Sequence, residues 1–108
     1  MKIYIAGSIA GDKRYKAKFQ EAAQKLTEAG HIALNPATQP AGLSRADYMR
    51  VCFAMMEAAD VALFLPGYRE SQGAMLEWTW CQYVGKRICY DMDCFGGKAI
   101  DCFGGDAI

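Results

Sequence analysis

Residues 60–86, DVALFLPGYRESQGAMLEWTWCQYVGK, decide how the chain is read. DVALFLP is a continuous apolar run of strand length closed by Pro66 and Gly67. A run with no polar alternation suits a central parallel strand covered on both faces. Ser71 behind it is a good N-cap, and the spacing predicts a helix over 72–85. Between Glu70 and Lys86 this segment carries one charge, Glu77, among Met75, Leu76, Trp78, Trp80, Cys81, Tyr83 and Val84.

The same alternation extends in both directions. Downstream, KRICY at 86–90 reads as another strand. Upstream, Ser44 and Asp47 have capping-box-like spacing, and Tyr48, Val51, Cys52 and Met55 recur at helical intervals to about Ala59. HIALN at 31–35 is a short strand closed by Pro36, and PATQPAGL after it is rich in turn formers. At the N-terminus, KIYIA is a compact β-branched and aromatic strand ending at Gly7. The helix after it places Tyr15, Phe19, Ala22, Ala23 and Leu26 on one face and stops at Gly30. Strands alternating with helices predict an α/β fold: a small open parallel sheet of four to five strands with flanking helices, three-layered and Rossmann- or flavodoxin-like.

With 108 residues, 53% of them hydrophobic, the chain suits one core and is too short for two ordinary domains. We read a domain over 1–92 and a tail over 93–108, where DCFGGKAI is followed at once by DCFGGDAI. Twelve basic residues balance twelve acidic ones, so no global field gathers nucleic acid or an anionic membrane. Gly7 interrupts the first apolar run, which is neither a signal peptide core nor a membrane span, and a cytoplasmic protein is expected. Five cysteines include no C-x-x-C pair, and reduced thiols are expected. A zinc site from Cys89, Cys94, Cys102 and His31 matches no common ligand spacing, so neither a metal nor any other cofactor is expected.

Ligands of such sheets bind beyond the carboxyl ends of the strands. The segments at that edge are GSIAGDKR, NPATQP and PGYRESQG, with Gly7, Ser8, Ile9, Gly11, Asn35, Ser71 and Gly73 as candidate substrate contacts. Glu77 lies one turn beyond Gly73 and Ala74, and helical side chains lean toward the N-terminus, so its carboxylate is sent over two small residues toward this edge. An arbitrary helical glutamate is a solvated one. Here the neighbours are apolar and no basic residue stands at i±3 or i±4, so a task is the better reading. AGSIAG joins a strand to a helix and can hold an anion on free N–H groups, although it is neither a G-x-G-x-x-G nor a Walker loop. Ser8 and Ser71 offer hydroxyls at that edge, and Lys13, Arg14 or Arg69 could add charge suited to a single phosphate. Tyr4 alternates with two isoleucines as a core residue would, and its phenol could also orient a carboxylate.

Together, KIYIAGSIAG, EAGHIALNPA, ADVALFLPGYRESQGAMLE and GKRI resemble the nucleoside 2-deoxyribosyltransferase-like superfamily over roughly residues 2–90, especially its short phage and bacterial members of unassigned function. YIAGSIAG is similar to the opening of its deoxynucleoside 5′-monophosphate N-glycosidases. The resemblance implies N-glycosidic cleavage or transfer on a 2-deoxynucleoside or its monophosphate. Glu77 would be the nucleophile, Tyr4 would position it, and Gly7, Ser8, Ile9 and Ser71 would hold substrate. Serine at 71, where several members carry aspartate, favours a 5′-phosphate. Catalytic members place an aspartate eight residues before the one that opens the next strand. Counting back from Asp60 reaches Cys52, so a non-catalytic nucleotide-binding module is the alternative. A homodimer or higher homo-oligomer is expected from the apolar circumference of the 72–85 helix and from the resemblance, with Trp78 or Trp80 between subunits.

Overall fold

A computed structural model describes residues 1–9 and 11–92. The tail expected at 93–108 lies outside the described residues. In chain order the elements are β1 (Lys2–Ala6), α1 (Tyr15–Glu28), β2 (Ile32–Leu34), a 3-10 turn at Pro36–Thr38, α2 (Arg45–Ala58), β3 (Val61–Phe64), a second 3-10 turn at Tyr68–Glu70, α3 (Gln72–Val84) and β4 (Arg87–Cys89). The four strands form one parallel sheet in the order β2-β1-β3-β4.

Strand periodicity sorts the core into two halves. Tyr4 and Ala6 of β1 and Ala62 and Phe64 of β3 face α2 and α3, meeting Cys52, Met56, Ala74 and Cys81. Ile3 and Ile5, with Val61 and Leu63, face the other way onto Phe19, Ala22 and Leu26 of α1. Successive strand residues point to opposite faces, so a run that is apolar at every position needs helices on both sides. All four residues of β3 are buried, which makes this the three-layered open α/β sheet read from DVALFLP.

Local chemistry fixes the element ends. The Ser44 hydroxyl accepts from the Asp47 N–H at 3.0 Å and starts α2. The Ser71 hydroxyl accepts from the Ala74 N–H at 3.1 Å and starts α3. Helix α3 stops at Gly85, whose φ of 79° lies in the left-handed region that glycine enters without a Cβ penalty. At the other end of the sheet the Lys2 N–H donates to Asp60 Oδ2 at 2.8 Å, tying the start of β1 to the start of β3.

Cys52 and Cys81 are free thiols, in line with the reduced state expected. Cys89 departs from it, being disulfide-bonded. Among the described residues no helix is long and apolar enough to cross a membrane.

Candidate active site

Strand order reverses between β1 and β3: the chain leaves β1 for β2 on one side and returns to β3 on the other. The loops at the carboxyl ends of β1 and β3 therefore part there and open a crevice. A cavity of about 410 Å³ occupies it. Its walls include Gly7 and Ile9 after β1, Pro36 after β2, Arg45, Tyr48, Met49 and Cys52 from α2, and the stretch from Glu70 to Ala74 at the entry to α3. Tyr4 and Glu77 also line it.

Glu77 is 5% exposed, the one charged residue among the buried side chains described. The Tyr4 hydroxyl donates to Glu77 Oε2 at 2.5 Å, joining residues 73 positions apart. Burial pushes the Glu77 carboxyl up to about 7, and the Tyr4 hydrogen bond pulls in the opposite direction. Among the described residues no ion pair involves Glu77. Its carboxylate is thus balanced by one phenol in a mainly apolar pocket, so a small change of surroundings moves it between acid and anion near neutral pH. Burial also holds Tyr4 well above the usual phenol range, with the nearby Glu77 charge adding to it, so Tyr4 stays a donor.

Cys52 is buried beside this pair. Desolvation pushes its thiol up, while hydrogen bonding to Tyr4 and Tyr48 works the other way. A neutral thiol is not a carboxylate acid or base, and the residue found by counting back from Asp60 does line the cavity. Tyr48, from the same helix, donates to the Pro36 carbonyl at 3.1 Å and ties α2 to the segment after β2.

Of the residues singled out from sequence, the fold brings Tyr4, Gly7, Ile9, Ser71, Gly73 and Glu77 to one cavity. Ser8, Gly11 and Asn35 are not among its lining residues. The Asn35 side chain accepts from the Ala37 N–H at 2.9 Å and caps the first 3-10 turn. Gly7 is tightly placed: a Cβ there would lie 3.3 Å from both Leu65 Cβ and the Phe19 ring. Of the cations considered, Arg69 instead donates to the Tyr68 hydroxyl at 3.2 Å, and neither Lys13 nor Arg14 lines the cavity. Arg45 does line it, and sequence reasoning missed it. An exposed arginine at a helix start carries no signal of its own, since only the docking of α2 against the β-strand ends brings it there.

Residues 1–90 match the family described as Domain of unknown function (DUF4406). The chain belongs to the DUF4406 family. No curated protein matches the sequence of this DUF4406 chain. Among solved structures, a 2-deoxyribosyltransferase from the psychrotolerant bacterium Bacillus psychrosaccharolyticus is similar, with a TM-score of 0.65 and 21% identity. The similarity covers 82% of the DUF4406 chain and 69% of the other. At that identity it is the fold that is shared: the DUF4406 chain has a nucleoside 2-deoxyribosyltransferase-like architecture.

Proposed function

We propose that the protein cleaves or transfers the N-glycosidic bond of a 2′-deoxynucleoside or its 5′-monophosphate, with Glu77 as nucleophile. One observation carries the reading: a buried carboxylate, held by a phenol, lines a crevice at the switch point of the sheet. The Tyr4 hydroxyl occupies Oε2 and fixes the side chain, leaving the second carboxylate oxygen to attack C1′. The C1′–N bond breaks as the C1′–O bond forms, and the base departs with the bonding pair and takes up a proton. A glycosyl ester on Glu77 results. Water attacking C1′ then releases the sugar and restores the carboxylate, and a second base attacking instead completes a transfer with retained configuration. Gly7, Ile9, Ser71 and Gly73 supply walls and backbone for the substrate, with Ser8, Gly11 and Asn35 on the adjoining loops. The solved 2-deoxyribosyltransferase of the same architecture supports this reading. We further propose a cytoplasmic homo-oligomer.

Cys52 favours a second reading, a binding module that retains the pocket without turnover. Incubation with deoxynucleosides and their 5′-monophosphates, with and without an acceptor base, separates the two. Free base indicates a hydrolase, exchanged base a transferase, and binding with neither a module. Glu77→Gln should reduce base release at least a thousandfold while keeping a cooperative unfolding transition, because the amide matches the carboxylate in shape and is a poor nucleophile. Undiminished release by that variant would remove Glu77 from the mechanism.

A further inference from the structure

The crevice does not end at the main cavity. A second cavity of about 370 Å³ adjoins it, formed by Tyr15 and Lys16 of α1 and the loop from Ala37 to Leu43. Ile9, Arg45 and Tyr48 line both. Charge is divided between the two. The main cavity has two carboxylates, Glu70 and Glu77, with Arg45 as its cation. The second has Lys16 and Arg45 and no carboxylate among its lining residues. Two nearby cations are neutralised: Lys18 pairs with Asp12 at 2.8 Å and Arg50 with Asp47 at 2.6 Å. Among the described residues neither Lys16 nor Arg45 is in an ion pair.

We propose that the junction of the two cavities is an anion subsite, in which Arg45, with Lys16 behind it, holds the phosphate of a nucleotide whose sugar lies over Glu77. The inference rests on the glycosidic reading for the identity of the ligand and goes beyond it in assigning the residues that select a phosphorylated substrate. The polarity of the cleft sets the orientation. A phosphate beside Glu77 and Glu70 is repelled by both, whereas at the junction, which Tyr48 and Ile9 also line, it meets the fork of Arg45. Once the phosphate is seated there, the sugar occupies the mainly apolar part of the crevice. The Ser71 oxygen accepts from the Ala74 N–H, which leaves its O–H to donate to the substrate.

Calorimetric titration with a 2′-deoxynucleoside 5′-monophosphate and the matching nucleoside tests this without requiring turnover. The wild-type chain should prefer the monophosphate by about tenfold or more, a preference that falls as salt is raised. Arg45→Ala should abolish the preference by weakening the monophosphate about tenfold more than the nucleoside, Arg45→Lys should restore part of it, and Lys16→Ala should lower it by less. Arg50→Ala, on the same helix but already paired with Asp47, should leave it intact. Equal affinity for the two ligands in the wild type, or an undiminished preference in Arg45→Ala, overturns the subsite and leaves the glycosidic reading standing. A preference that depends on Arg45 without base release overturns the glycosidic reading and leaves the subsite. Failure of the wild type to bind either ligand overturns both.

Discussion

Glu77 is a stability cost as well as a reactive group. Burial pushes its carboxyl up to about 7 in the folded chain, against an ordinary value of 4.5. Between those values the folded state holds a proton that the unfolded state has lost, so stability falls as pH rises through that window, by roughly 3 kcal/mol in all. Asp12 and Asp60 have lowered values, the first mainly through the hydrogen bond from Lys18 and the second through the Lys2 N–H. Both are already ionised at pH 5 and contribute little slope above it. Urea midpoints should therefore drop between pH 5 and pH 8 in the wild type and stay nearly level in Glu77→Gln, with the variant the more stable at pH 8. Base release should move oppositely, rising through about pH 7 to a plateau, because the nucleophile must be ionised. A wild-type stability that stays level over that range would mean Glu77 is ionised when buried.

At the scale of elements, much of the fold was legible because it is written in short-range chemistry. DVALFLP is buried at every position from Val61 to Phe64, and the two serines read as caps, Ser44 and Ser71, both accept the expected N–H. Removing the second cap in Ser71→Ala should cost about 1 kcal/mol of unfolding free energy, and Ser71→Asn should recover most of it. Equal losses in the two variants would show that the cap is not what position 71 supplies to stability. The two 3-10 turns were not legible. One depends on the Asn35 side chain reaching Ala37, and the other on Gly67 at a φ of 89°, both inside stretches whose composition says only that the chain turns. The site divides the same way. Glu77 stands out by its isolation among apolar residues, whereas alternation marks Tyr4 as core and only its phenol and the family resemblance suggest a positioning role. That they touch follows from strand order, which places β1 beside β3 and over α3. Arg45 has no local signature, and its place in the crevice comes from packing alone.

At the scale of the whole molecule, α3 shows which surface remains to be covered. At least one of Trp78 and Trp80 is expected between subunits, yet both have partners within the chain. The Trp80 ring meets Phe53 edge-on at 5.9 Å, and Trp78 Nε1 donates to the Tyr90 hydroxyl at 3.0 Å. The apolar groups left in water on this helix are Leu76, Val84 and Tyr83, the first 59% and the last 82% exposed. Leu76 and Tyr83 stand seven residues apart, hence on one face of the helix, and Leu76 continues onto the rim of the main cavity. A self-complementary contact through a two-fold axis would bury that face on both copies at once. Light scattering at micromolar concentration should therefore report at least a dimer. Tyr83→Glu should shift it to monomer by placing a charge at the centre of the contact, with little loss of intrinsic stability because Tyr83 is exposed in the isolated chain. An iodide quenching experiment should leave Trp78 and Trp80 emission nearly the same in the variant as in the wild type, since their cover comes from Phe53 and Tyr90. A wild-type monomer, or a Tyr83→Glu oligomer of unchanged mass, would place the contact elsewhere or abolish it. A marked gain in quenching on dissociation would return the indoles to the interface.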